Sequence, residues 1–232
     1  MSRKLLGTCI MAFMLAVDMS AYALEKVNGV YQIGTAEDFA EFAALVNGGE
    51  KRANAILTAD IDLGTNIDAY KLYNGEYLGS FDGAGHTITI NFSDGTKDDQ
   101  GPAIFRSIGN QALIKRLKVQ GTITTSRQHA AGIANYSGGV IRDCWADVTI
   151  KCPTAMTDAS AAAFVGQCNK NSLIENSVAK IAIDAVGSGR FGGVAAWADA
   201  DRCHIANCLV INDNCNFDRS DGKSAGLVRN DA

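Results

Sequence analysis

The sequence predicts an all-β chain wound into a solenoid, a parallel β-helix, with one amphipathic capping helix at its N-terminal side. Three observations predict it. Strand-like blocks recur every 27 to 33 residues, helical periodicity is confined to one stretch, and 24 glycines against two prolines supply many tight corners.

The first element, MSRKLLGTCIMAFMLAVDMSAYALEK, sets Arg3 and Lys4 before an apolar run from Leu5 to Val17 and ends in Ala-Tyr-Ala. This pattern predicts a signal peptide over residues 1–23, and hence export to the cell surface, the periplasm or the extracellular space. The run is shorter than the roughly 20 apolar residues a membrane span requires, and no later stretch is long enough. With 25 acidic against 21 basic residues the chain has no concentrated basic face, which argues against a nucleic-acid partner.

Residues 24–53 are expected to form an N-terminal cap. In TAEDFAEFAALVNGGE, Thr35 is the N-cap, Phe39, Phe42, Ala43 and Val46 make the apolar stripe, and Gly48 and Gly49 stop the helix. Residues 54–232 then read as the solenoid. From Ala55 onward, short alternating segments are parted by Gly, Asn, Asp and Ser.

The repeat places anchors at Ile104, Ile133, Phe164, Val194 and Leu227, and again at Ile114, Ile141, Ile174 and Ile205. Such a period means stacked units that bury one another's apolar faces. Propeller blades would be longer, about 40 to 50 residues, and helical repeats lack the strand alternation. Stacking makes columns about 4.8 Å apart. Leu117, Cys144, Ser177 and Cys208 form one inward column, and Val119, Ala146, Ala179 and Val210 another. Arg116, Asp143, Asn176 and Asn207 form a polar turn column. Lys118, Trp145, Val178 and Leu209 then point outward.

Without its leader the chain keeps six cysteines and no CxxC pair, so a zinc site is poorly supported. Cys144 and Cys208 lie two coils apart, beyond disulfide reach, and are expected to be buried thiols. Cys168 and Cys203, in adjacent coils, are the better candidate pair.

In GEYLGSFDGAGHTITINF, Gly83 and Gly85 permit a tight corner while Ile88, Ile90 and Phe92 alternate inward. Asp82 and His86 fall at the bend, where they are expected to bond the turn backbone rather than attack a substrate.

The pieces YQIGTAEDFAEFAALVNGG, LTADIDLG and SFDGAGHTITI, with the recurring AFVG-like and IxNC-like strands, resemble bacterial surface and secreted proteins that carry GLUG motifs. The resemblance covers roughly residues 28 to 232 and implies a right-handed parallel β-helix of the pectate-lyase architecture. The motif is degenerate here: its first glycine persists only at Gly132, Gly193 and Gly226, and its last only at Gly166. Gly226 and Leu227 merely start a coil, so the solenoid is expected to be incomplete at its C-terminus. An open sheet edge invites end-to-end self-association.

Two functional readings follow. The first is an exported, non-enzymatic, adhesin-like binding module whose partner is a glycan or a surface protein. Its contact residues would be the apolar column Trp145, Val178 and Leu209, unless a long loop folds over them. Tyr70, Tyr73 and Tyr77, placed in a loop before the first full coil, would stack on sugar rings or pack on the N-terminal helix. The alternative is a carbohydrate-active enzyme, a polysaccharide lyase or glycoside hydrolase, drawing on Asp60, Asp62, Asp82, Asp98 or Asp99. No catalytic residue, metal or cofactor is assigned. HExxH is absent, so the metallopeptidase chemistry of some GLUG proteins has no ligands here. Asn214, Asn216 and Asp218 have calcium-loop spacing, but Arg219 and Ala225 stand where Gly and Glu belong, and a solvated turn is expected.

Overall fold

Alternating apolar side chains give each short strand one face that must be covered, and in this chain the cover comes from the coil itself. A computed structural model describes residues 24–154, 159–199, 203–218 and 228–231, and the chain forms a parallel β-solenoid of about five turns. The expected signal peptide and the residues Gly226 and Leu227 lie outside the described residues. Among the described residues, no helix is long and apolar enough to cross a membrane.

Each coil carries three main strands, one on each face, and the short strands Ala130–Ala131 and Ala159–Ala162 follow those of coils two and three. The first coil runs Leu72–Tyr77, Ser80–Asp82 and Thr87–Ser93. The second runs Phe105–Ile108, Leu113–Lys115 and Lys118–Thr124, and the third Ala134–Ser137, Val140–Arg142 and Trp145–Cys152. The fourth runs Val165–Cys168, Ser172–Glu175 and Val178–Gly192, and the fifth Ala195–Asp199, Cys203–Ala206 and Leu209–Asp218. Val228–Asp231 pairs with Ala195–Asp199 and opens a sixth.

Successive coils pair in parallel and in register. Ile114, Ile141, Ile174 and Ile205 stack on the second face, and Val119, Ala146, Ala179 and Val210 on the third. The expected anchors Ile104, Ile133, Phe164 and Val194 are fully buried.

Two residues turn the chain from the second face to the third in coils two to five. The first of them, Arg116, Asp143, Asn176 or Asn207, has φ of 51°, 55°, 50° or 52°. This left-handed conformation explains the polar column, because Asn and Asp tolerate it better than other non-glycine residues. The second, Leu117, Cys144 or Ser177, drops into the core. The first coil differs: Asp82 pairs with Lys115 and Thr87 with Lys118, so four residues, 83–86, fill a corner that later coils make with two. Gly83 is required there, since a Cβ would lie 2.4 Å from the Leu117 Cα.

The helix Ala36–Asn47 is a crossover between Val30–Ile33 and Asn54–Leu57, parallel neighbours on the second face. A capping box starts it: Asp38 N–H donates to Thr35 Oγ1 at 3.1 Å, and Thr35 N–H donates to Asp38 Oδ2 at 3.0 Å. Its apolar stripe plugs the open end of the solenoid. Phe39 and Phe42 each lie 6.0 Å from Phe81 between ring centroids, and Phe81 lies 5.7 Å from Phe105.

Two local expectations are corrected. The segment before the first coil is not a loop: Tyr70 closes a short helix, Ile67–Tyr70, and Tyr73 and Tyr77 belong to the strand Leu72–Tyr77. Asn214 and Asn216 lie in the strand Leu209–Asp218 rather than a turn: Asn216 pairs with Asp184 of the fourth coil, which overrides its turn preference, and Asn214 falls at the register shift between Asn212 and Cys215. Arg219 and Ala225 lie outside the described residues.

Candidate functional site

The third-face strands of coils one to five begin at Thr87, Lys118, Trp145, Val178 and Leu209, each paired with the next. Because the following residue points inward, this first residue points out. Trp145 is 42% exposed, Leu209 55%, and Val178 is partly buried, so among the described residues no loop covers the two ends of the strip.

Beside this strip runs the left-handed corner column, and together they enclose a groove of about 440 Å³. Lys118, Trp145 and Val178 form one wall, Arg116, Asp143 and Asn176 the other, and Ala84 and Gly85 of the enlarged first corner close one end. Of the three apolar positions expected to bind, Trp145 and Val178 line the groove. Leu209 extends the same strip beyond it.

Arg116, one of the residues lining the groove, is paired with a carboxylate of the first coil. Asp82 takes Arg116 through two bonds, Nε to Oδ1 at 2.9 Å and a guanidinium nitrogen to Oδ2, and Lys115 Nζ lies 3.2 Å away. Burial pushes the Asp82 carboxyl up, but Arg116, the Ala84 N–H and Lys115 outweigh it and hold the group below its ordinary value. Asp82 therefore does bond its turn, accepting from Ala84 N–H at 2.9 Å. His86 does not; its Nδ1 lies 3.2 Å from Asp60 Oδ1, and Asp60 also accepts from Thr87 N–H at 2.8 Å. The Thr87 bond first, and His86 second, hold the Asp60 carboxyl low.

The other aspartates are similarly engaged. Asp62 Oδ1 accepts from Gly64 N–H at 2.8 Å, Asp98 pairs with Lys71 at 3.0 Å, and Asp99 accepts from Gln100 at 3.0 Å. Among the described residues, no group of three or more His, Cys, Asp or Glu is placed to hold a metal.

The three tyrosines do not form one surface. Tyr77 is 1% exposed, its ring lies 6.2 Å from Phe42, and its hydroxyl donates to Ala53 O at 2.8 Å. It cannot present its ring to a ligand. Burial drives its phenol pKa upward, consistent with a core position. Tyr70 lies 6.3 Å from Phe39, and Tyr73 is half-buried with its N–H donating to Asn47 Oδ1 at 2.9 Å. For Tyr70 and Tyr77 this is packing on the N-terminal helix.

On the first face, His129 lies between Tyr136 and Trp197, at 4.9 and 6.4 Å, and Arg190 covers the Trp197 ring at 4.8 Å. Its N–H donates to Ser160 Oγ at 2.8 Å, and the same hydroxyl lies 2.8 Å from Nδ1. Burial, with Arg190 nearby, lowers the imidazole pKa to about 4. A neutral ring accepting from a buried hydroxyl is a packing contact here, because Arg190 and the flanking aromatics leave the dyad covered.

Cys144, Cys152, Cys168, Cys203 and Cys208 are free thiols. Cys144 is buried as expected, its pKa pushed up to about 12, whereas Cys208 is only partly buried because it lies in the fifth coil. Cys168 and Cys203 are unbonded but in hydrogen-bond contact.

Periodicity was enough to locate the outward strip. The groove was not legible, since it depends on two extra residues in one corner and on residues brought together from separate coils. Comparison with family models, curated proteins and solved structures finds no match, so the parallel β-solenoid is the level at which the chain is classified.

Proposed function

We propose that the chain is an exported, non-catalytic binding module of the bacterial GLUG-like surface type, and that an extended glycan strand lies along the corner groove. The observation that carries this reading is the registered strip of Trp145, Val178 and Leu209 beside a polar column with the same spacing.

A pyranose ring has an apolar C–H face and a rim of hydroxyls. Trp145 offers an apolar platform for the first, and Asp143 and Asn176 offer hydrogen-bonding groups for the second. Coils repeat about every 4.8 Å, close to the length of one sugar ring, so successive rings would meet successive coils. Strand pairing holds both columns before the ligand arrives, which lowers the ordering cost of binding. The commitment of Asp60, Asp62, Asp82, Asp98 and Asp99 to local partners supports binding over catalysis.

The test is a glycan array probed with the chain and with Trp145→Ala. Binding to a linear glycan that weakens roughly tenfold in the variant, with an unchanged melting temperature, is the expected result. If no glycan binds, or the variant binds like the parent, the strip has no such role. Release of reducing or unsaturated sugars from acidic polysaccharides would instead favour the enzyme.

A further inference from the structure

The fifth coil is the least covered part of the described solenoid, and the two thiols in contact sit where it meets the fourth. Cys168 ends the first-face strand of coil four, and Cys203 begins the second-face strand of coil five. Ser172 links them: its Cα pairs with that of Cys203, and its hydroxyl lies 3.8 Å from the Cys168 sulfur. The parallel pairing of Ser172 with Cys203 therefore brings the fifth-coil thiol beside the hydroxyl that meets Cys168.

Two of the other thiols, Cys144 and Cys208, are placed differently. Cys144 donates to the Arg142 carbonyl at 3.1 Å and Cys208 to that of Ala206 at 3.3 Å, each two residues back in its own coil. Ser177 occupies the coil between them.

We propose that Cys168 and Cys203 are a thiol–disulfide site, closed by a small-molecule or protein disulfide, that clasps the fifth coil to the fourth. Cys203, partly exposed, attacks one sulfur of the oxidant, forms a mixed disulfide and expels the first thiolate. Cys168 then attacks the Cys203 sulfur, forming the intramolecular bond and expelling the second. The two protein thiols lose two electrons and two protons, and the oxidant disulfide becomes two thiols. The roles follow from position: Cys168 is fully buried, while Cys203 reaches the surface. The hydrogen bond from Cys168 stabilises a Cys203 thiolate and lowers its pKa, leaving the shared proton on Cys168.

The bond would close a loop of about 35 residues, long enough for a sizeable entropic restraint on the unfolded chain. Its effect is to hold in place a coil whose core column is incompletely covered. The expected export of the chain would bring it to a compartment where disulfides persist.

The test treats the full chain with glutathione disulfide, blocks remaining thiols with N-ethylmaleimide and maps the peptides by mass spectrometry. The expected product has lost two hydrogens, joins the Cys168 and Cys203 peptides, and melts roughly 10 °C above the reduced chain. Cys203→Ser should abolish both the linkage and the gain. The reduced and oxidised parent chains give the comparison even if that variant folds poorly. Alkylation of both cysteines after oxidation, a mixed disulfide that persists on Cys203, or a linkage through another cysteine would overturn the proposal.

Discussion

The two ends of the described solenoid use the same columns and differ in what covers them. At the N-terminal end, Phe39 and Phe42 of the helix close over Phe81 and Phe105, and all four are fully buried. At the other end, Ile205, Cys208 and Val210 continue the columns of Ile174, Ser177 and Ala179, yet each is only partly buried. The pairing of Leu209–Asp218 with the fourth coil also breaks register twice. A residue's place in a column sets its direction, but burial is supplied by the next coil. Stability should therefore be graded along the axis, as expected when each repeat contacts only its neighbours.

Removing the plug tests this gradient most severely. Phe42→Ala should cost about 3–5 kcal/mol in urea unfolding, because it opens a cavity beneath Phe81 and Tyr77. Little loss would mean that the helix is not what seals this end. The second test compares one column at two heights. Ile114→Ala should cost about 3 kcal/mol, whereas Ile205→Ala should cost about 1 kcal/mol, since its site is already partly wet. Equal costs would show that something covers the fifth coil. Amide exchange should agree, with slow exchange at residues 118–124 and fast exchange at 209–218.

Between the ends, the loop of His129 provides a pH test. Its folded pKa of about 4 lies below the ordinary 6.5, so the unfolded chain takes up the proton first as pH falls. Stability from the neutral ring is thus complete above about pH 6.5 and is lost progressively down to about pH 4. Near pH 5 the loss should be about 2 kcal/mol, and His129→Gln should flatten that slope. An unchanged slope in the variant would assign the acid sensitivity to the carboxylates. The smallest expected effect is at the capping box: Thr35→Ala should cost about 1 kcal/mol, read at the sealed end.

Much of the architecture was legible because the evidence for it is periodic. Ile114, Ile141, Ile174 and Ile205 recur at one spacing, and their strands could be stacked before any coordinates. The outward column of Trp145, Val178 and Leu209 followed from the same count. Isolated features were harder to read. Tyr77 resembled a loop aromatic because neither its strand nor the register shift between Leu72 and Glu76 announces itself in the sequence. Asn216 carried turn chemistry that strand pairing overrode. The Asp82–Arg116 pair joins residues 34 apart in sequence, and no local pattern marks it.

By itself the sequence determined the solenoid, the direction in which each column points and the position of the capping helix. Those properties are local or periodic: alternation selects a face, left-handed corners favour Asn and Asp, and a capping box starts a helix. Only the tertiary structure decided which columns are sealed, that the helix crosses between two strands, and that the enlarged corner at 83–86 makes a groove beside Trp145. The physical reason is that burial, concavity and the pairing of charges belong to neighbouring coils jointly. They exist only once the coils stack.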